Sequence, residues 1–93
     1  SGQFTKAKPL LTAYLKANPT HSEANRVLGQ IYSDEGDQEK AQDFLIEALK
    51  WDPKNKSALV MMGNILSNYR KDIATSQKYF EQARKVSPND HLI

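Results

Sequence analysis

The sequence predicts an all-α fold of antiparallel helix pairs, and three observations predict it. The chain matches itself when slid by 34 residues, apolar residues recur at helical spacing inside each period, and turn-forming residues separate the periods. The shift carries Ala7 onto Ala41, Leu11 onto Leu45, Leu15 onto Leu49 and Pro19 onto Pro53, then Leu28 onto Met62, Gly29 onto Gly63 and Ile31 onto Ile65. After residue 70 the match resumes with one extra residue, taking Leu45 to Phe80, Ala48 to Ala83 and Pro53 to Pro88.

Each element follows from its punctuation. The opening segment, residues 3–18, reads as the second helix of a truncated repeat that ends before Pro19, with Pro9 expected in or near its first turn, because deeper in a helix a proline costs about 3 kcal/mol. Residues 22–55 form one full repeat. Thr20-His21-Ser22-Glu23 has the form of a capping box, which assigns Thr20 as the N-cap of a helix over about 21–35. Gly36 supplies the left-handed residue that ends it, and Asp37 caps a second helix running to Trp51. Residues 56–90 form a second full repeat with a one-residue insertion; Asn55 and Asp72 cap its helices near 56–70 and 73–86, and 91–93 begin another repeat. About five helices result.

Small residues at Gly29, Gly63, Ala41, Ala48, Ser76 and Ala83 allow close helix approach, while Leu28, Tyr32, Leu45, Met62, Leu66 and Phe80 fill the space between. Trp51, Leu49 and Val86 read as inter-repeat packing, with ligand stacking the alternative for Trp51. An outward apolar stripe is expected at each end: Leu10, Leu11, Tyr14 and Leu15 on the opening helix, and Tyr79, Phe80, Ala83 and Val86 on the last.

These residues resemble the tetratricopeptide repeat pattern of Leu-Gly, Tyr, Ala, aromatic and Pro at set spacings: Leu28-Gly29, Tyr32, Ala41, Leu45, Ala48 and Pro53, then Met62-Gly63, Leu66, Ser76, Phe80, Ala83 and Pro88. Asn25 stands where the family has a large residue, Tyr14 where it has an alanine, and the turn at 69–72 lacks a glycine. The resemblance implies a right-handed α-α superhelix with a concave groove lined by first helices, where the family accommodates a peptide. Carried over position by position, the groove residues are Glu23, Arg26, Gln30, Ser33 and Asp34 with Ser57, Val60, Asn64, Ser67 and Asn68. Arg26 and Asn64 are the preferred contacts, for carboxylate pairing and peptide-backbone bonding. Arg26, Gln30 and Met61 replace the residues by which some family members clamp a terminal carboxylate, and Val27 and Met61 replace another branch's asparagine ladder, so neither specialised activity transfers.

Composition narrows the function classes. The 93 residues are 39% hydrophobic and 26% charged, with a net charge of +2 from interspersed signs, which describes a solvated surface and not a nucleic-acid stripe. No cysteine is present, so disulfide, thiolate-metal and cysteine-nucleophile chemistry are excluded. The apolar run Ala58–Met62 is far short of the roughly 20 residues of a membrane helix. His21 and His91 have no partner at metal-ligand spacing, Asp34, Glu35, Asp37 and Glu39 suit capping, and the isolated glycines form no phosphate loop. No catalytic, cofactor or metal site is expected, and the chain reads as a non-enzyme.

A soluble scaffold that binds a protein or peptide in its groove is the leading functional reading. The alternative is a structural spacer that self-associates through its end helices. A start at Ser1-Gly2 without a methionine reads as a piece of a longer protein, so the compartment is left open, with a cytoplasmic one slightly favoured.

Overall fold

A computed structural model describes residues 2–86, with side chains from Ala7 onward; Pro88, His91 and the expected repeat start at 91–93 lie outside the described residues. Among the described residues there are five helices and no strand: α1 (Gly2–Ala17), α2 (Ser22–Asp34), α3 (Gln38–Trp51), α4 (Lys56–Asn68) and α5 (Ile73–Val86). Each packs on the next in sequence, most extensively α2 on α3 and α4 on α5, and α2 also touches α4. The fold is thus an all-α array of helix pairs.

Caps decide where the helices begin and end. Asp37 and Asn55 accept from the amides of Lys40 (3.1 Å) and Ala58 (3.2 Å), and Asp72 accepts from Thr75 (3.2 Å). Gly36, at φ 91°, ends α2 with a paired closure in which its own amide donates to Ser33 O (3.0 Å) and that of Asp37 to Tyr32 O (2.9 Å). The α4–α5 turn has no glycine, and Lys71 takes the left-handed conformation there at φ 61°. Its extra residue lengthens the closure, with Asp72 N–H donating to Leu66 O at 2.8 Å.

The expected start of α2 is corrected. His21, not Thr20, is the N-cap, its Nδ1 accepting from the Ala24 amide at 3.1 Å. A turn closed by His21 N–H to Asn18 O (3.1 Å) contains Thr20, one residue too early for its hydroxyl to cap. Glu23, instead of reaching back, turns to Arg26 and Asn55. Pro9 is corrected as well: it lies seven residues beyond Gly2, inside α1 and exposed. Residues 2–8 carry good helix formers and no stop signal, so the helix continues through the proline with one backbone bond missing.

The core interdigitates small and large residues as the pattern requires. Ala41, Leu45, Ala48 and Ala58 are fully buried with Met62, Ile65 and Leu66 around them, and Leu49 and Tyr79 pack on the edge. A second cluster joins Leu15 of α1 to Ala24 and Leu28 of α2, flanked by Leu11 and Phe44. Both helical glycines mark close crossings: a Cβ at Gly29 would lie 2.9 Å from Leu45 Cγ, and one at Gly63 2.7 Å from the Phe80 ring. Asn25 is buried where a large residue was expected, and its amide donates to Pro19 O (3.3 Å) and His21 O (3.1 Å), closing the connector onto α2. Ser22 donates to Ala48 O at 2.7 Å and accepts from Asn55 at 3.0 Å, so one hydroxyl joins three helix ends.

Three packing expectations fail. Trp51 is 45% exposed, its indole N–H donating to Glu47 Oε2 at 2.7 Å and its ring 5.1 Å from the Lys50 ammonium, because it falls on the outer side of the last turn of α3. The stripe on α1 divides: Leu11 and Leu15 turn inward onto α2, while Leu10 and Tyr14 stay exposed, Tyr14 edge-on to His21 at 5.3 Å. On α5, Tyr79, Phe80 and Ala83 pack toward α4, so the outer surface is instead mostly polar, carrying Gln77, Lys78, Glu81 and Arg84 with Ala74 and an edge of Phe80, while Ile73 is exposed at the helix start. A 3.6-residue period marks an apolar stripe without telling which neighbour covers it.

Candidate functional site

The candidate surface is the side of the array on which α2 and α4 touch. Both helices bury Ala, Leu or Met and Gly on one stripe, Ala24, Leu28 and Gly29 in α2 and Ala58, Met62 and Gly63 in α4. Residues on other stripes therefore border the seam between them. Two shallow depressions lie there. Arg26 and Gln30 of α2 line one with Lys56, Ser57, Val60 and Met61 of α4. The second lies toward the carboxyl ends of the same helices, lined by Ser33, Gln38, Asn64, Ile65, Asn68 and Tyr69. Of the sequence-predicted residues, Glu23, Asp34 and Ser67 line neither depression.

The two helices treat their polar side chains differently. On α2, Arg26 forms an ion pair with Glu23, and Gln30 donates to Asp34 Oδ1 at 3.0 Å. The hydrogen bond from Arg26, with a smaller contribution from Asn55, holds the Glu23 carboxyl below the usual carboxylate range. Ser33 is also committed, donating to Gln38 Oε1 at 3.0 Å, while Gln38 donates back to Ser33 O at 3.3 Å. On α4, Asn64 is exposed and makes no hydrogen bond among the described residues, and Asn68 accepts only a 3.4 Å bond from Ser67. Arg70 is held by Gln42, with Nε 2.8 Å from Gln42 Oε1, and its guanidinium lies 5.5 Å from the ring centroid of Tyr69. The second depression has no charged lining residue.

Sequence reasoning missed Lys56, Met61, Gln38, Ile65 and Tyr69. Met61 and Lys56 were within reach, since they neighbour Ser57 and Val60 at helical spacing. Tyr69 is the C-cap of α4 and falls on Glu35, the C-cap of α2, in the 34-residue register, just before the inserted residue, so no groove position of the repeat pointed to it. Elsewhere, Tyr32 stacks on Phe44 with centroids 5.3 Å apart and carries the Lys8 ammonium 4.4 Å from its centroid; Lys8 also reaches Glu35 at 2.7 Å, and this bond raises its pKa. These contacts brace α1 against α2. Among the described residues no cluster of three or more His, Cys, Asp or Glu could hold a metal, and no helix is long and apolar enough to cross a membrane.

Comparison with known proteins agrees with this geometry. A tetratricopeptide repeat family model matches residues 1–65. The chain is 36% identical over 103 residues to cellulose synthase operon protein C of Escherichia coli (strain K12), covering 97% of the chain and 9% of that protein. Protein O-mannosyl-transferase TMTC3 of Homo sapiens is 33% identical over 63 residues, 68% of the chain and 7% of the relative, and the Arabidopsis thaliana CTR9 homolog 31% over 72 residues, 77% and 6%. The chain therefore spans less than a tenth of the length of these relatives. With paired helices, small residues at the crossings and this match, the chain belongs to the tetratricopeptide repeat family, whose repeats are typically non-catalytic modules of protein–protein interaction.

Proposed function

We propose that this chain is a binding scaffold without chemistry of its own, and that it holds an extended segment of a protein partner along the α2–α4 seam. The observation that carries the reading is that Arg26, Gln30, Ser57 and Val60 border one depression and Ser33, Asn64 and Asn68 a second, so that two depressions follow one another along the same two neighbouring helices. The partly exposed Val60 and Met61 offer apolar area, and the amides and hydroxyls offer donors and acceptors. The relatives' names diverge while the matched part is under a tenth of each, which suits a repeat segment reused to hold partners.

A second reading, the structural spacer, draws on the internal pairing of Glu23 with Arg26 and of Gln30 with Asp34, since a face that satisfies its own polar groups needs no ligand. Selection of random peptides on the full chain, followed by equilibrium binding, separates the two. The scaffold reading expects Arg26→Ala and Val60→Ser to weaken the selected peptide by about tenfold each, as hot-spot truncations do, and Lys78→Ala on the outer face of α5 to leave it unchanged. Binding that ignores the seam variants, or no enriched peptide at all, favours the spacer.

A further inference from the structure

The 34-residue register places Tyr14 over Ala48 and His21 over Asn55, so the connectors that lead into α2 and α4 present the same two positions with different chemistry. Before α4, Asn55 is the cap: its amide oxygen accepts from Ala58 N–H at 3.2 Å, and Ala48 is fully buried in the same core as Ala58. Before α2, His21 is the cap: its Nδ1 accepts from Ala24 N–H at 3.1 Å, and its ring meets the Tyr14 ring of α1 edge-on at 5.3 Å. Both departures from the register thus meet in one contact. His21 is exposed, whereas Ala24 is buried with Leu15 of α1 and Leu28 of α2. The capping imidazole therefore stands at the α1–α2 junction within reach of solvent protons.

From this arrangement we propose that His21 is a proton-operated latch, whose neutral ring caps α2 and clips α1 to it, and whose protonation frees the start of α2 and loosens α1. The chemistry of the ring supports the assignment. Nδ1 accepts a hydrogen bond only while it is unprotonated, and an imidazolium carries N–H on both nitrogens and has no acceptor left. Protonation therefore sets a donor against the Ala24 N–H and adds positive charge at the positive end of the α2 dipole. Imidazoles as a class change charge between about pH 5 and 8, whereas the asparagine oxygen that does the same work at Asn55 does not titrate. The cap is thus present at neutral pH and lost as the ring gains its proton. Ala24 is also the α2 side of the cluster that receives Leu15, so fraying of this turn removes part of the seat of α1. Two titratable neighbours act on the ring: Tyr14 from α1, and Glu23 of α2, which feels the charge of His21 while it pairs with Arg26. Among the described residues no charged side chain of α3 or α4 pairs with it. The latch is independent of whether the seam binds a partner.

The test replaces one cap by the other. His21→Asn copies at α2 the cap that Asn55 already provides at α4, so the variant keeps the fold. Amide hydrogen-exchange protection is followed by nuclear magnetic resonance on the whole chain at about pH 7.5 and about pH 5, an interval that keeps most carboxylates ionised. In wild type the protection of Ala24 should fall about fivefold on acidification, the size of one lost cap, and that of Leu15 should fall with it, while Ala58 stays constant as the internal control. In His21→Asn the Ala24 amide should hold its protection at both values, and because this variant keeps His91 it separates the two histidines. Over the same interval the melting temperature of wild type should drop by about 4–8 °C relative to the variant. Equal protection of wild-type Ala24 at both values, or a fall that persists in His21→Asn, overturns the latch. A fall at Ala24 with Leu15 unchanged overturns its hold on α1.

Discussion

Replacing Gly29 by alanine puts a methyl group where α2 crosses α3. The added Cβ lies 2.9 Å from Leu45 Cγ, 3.1 Å from Leu45 Cδ2 and 3.2 Å from the Ala41 carbonyl oxygen. Leu45 is fully buried and the carbonyl belongs to the α3 backbone, so relief requires the helices to part by a few tenths of an ångström. Overpacking of this kind costs about 1–3 kcal/mol, and removing a helical glycine returns about 1 kcal/mol, leaving a net loss of about 1 kcal/mol. Gly63 is the comparison. Its added Cβ approaches more closely, 2.7 Å from Phe80 Cε1 and Cζ, but those atoms are the far edge of a half-buried ring that can pivot. Overpacking and propensity then nearly cancel. Thermal unfolding followed by circular dichroism should therefore rank Gly29→Ala below Gly63→Ala by about 4–8 °C, reversing the order of the raw distances. A Gly29→Ala chain that melts with or above wild type, or Gly63→Ala falling further, would refute the packing argument.

Three further outcomes follow from individual residues. Lys71→Gly relieves a left-handed non-glycine residue and should stabilise the chain by about 0.5–1 kcal/mol in urea unfolding; no gain would mean that the turn is not strained at φ 61°. Asn25→Leu restores the large residue usual in the family but leaves the Pro19 carbonyl without its donor and the His21 carbonyl with only the main-chain amide of residue 25, so a loss of about 1 kcal/mol is expected, and a stabilised variant would contradict the role given to this side chain. Because the Glu23 carboxyl titrates lower folded than unfolded, its contribution is present above its unfolded pKa of about 4.3 and is lost as pH falls through the folded value. Its side chain is 56% exposed, so the contribution stays well under about 1 kcal/mol: Glu23→Gln should slightly flatten stability between neutral and acid pH, and a steeper acid loss would reverse the sign.

Much of the fold was legible because backbone chemistry punctuates it. Gly36, Asp37, Asn55 and Asp72 fixed three helix starts and one helix end, and their side chains or dihedrals perform those roles. Thr20 misled because a hydroxyl next to a histidine is the stronger cap by type, whereas the turn after Asn18 decides which residue reaches the amides. Trp51 misled because helical spacing assigns a residue to a stripe, but at the last turn of α3 the stripe has already passed the neighbouring helix. The largely polar outer face of α5 was hidden for a related reason: Tyr79 and Phe80 are used against α4, although Ile73 stays 52% exposed. The seam residues came from repeat register, which names positions along α2 and α4. Register is silent on the partners those side chains choose, and it therefore gave no distinction between the closed Gln30–Asp34 pair and the open asparagines.

The central claim, that a peptide lies along α2 and α4, is tested most directly by titrating isotopically labelled chain with a selected peptide and following backbone amides by nuclear magnetic resonance. Shifts should concentrate at Arg26, Gln30, Ser33, Ser57, Val60, Asn64 and Asn68, and should spare Gln77, Lys78 and Glu81. Shifts gathered on the outer surface of α5, or around Leu10 and Tyr14 of α1 with the seam unmoved, would contradict it.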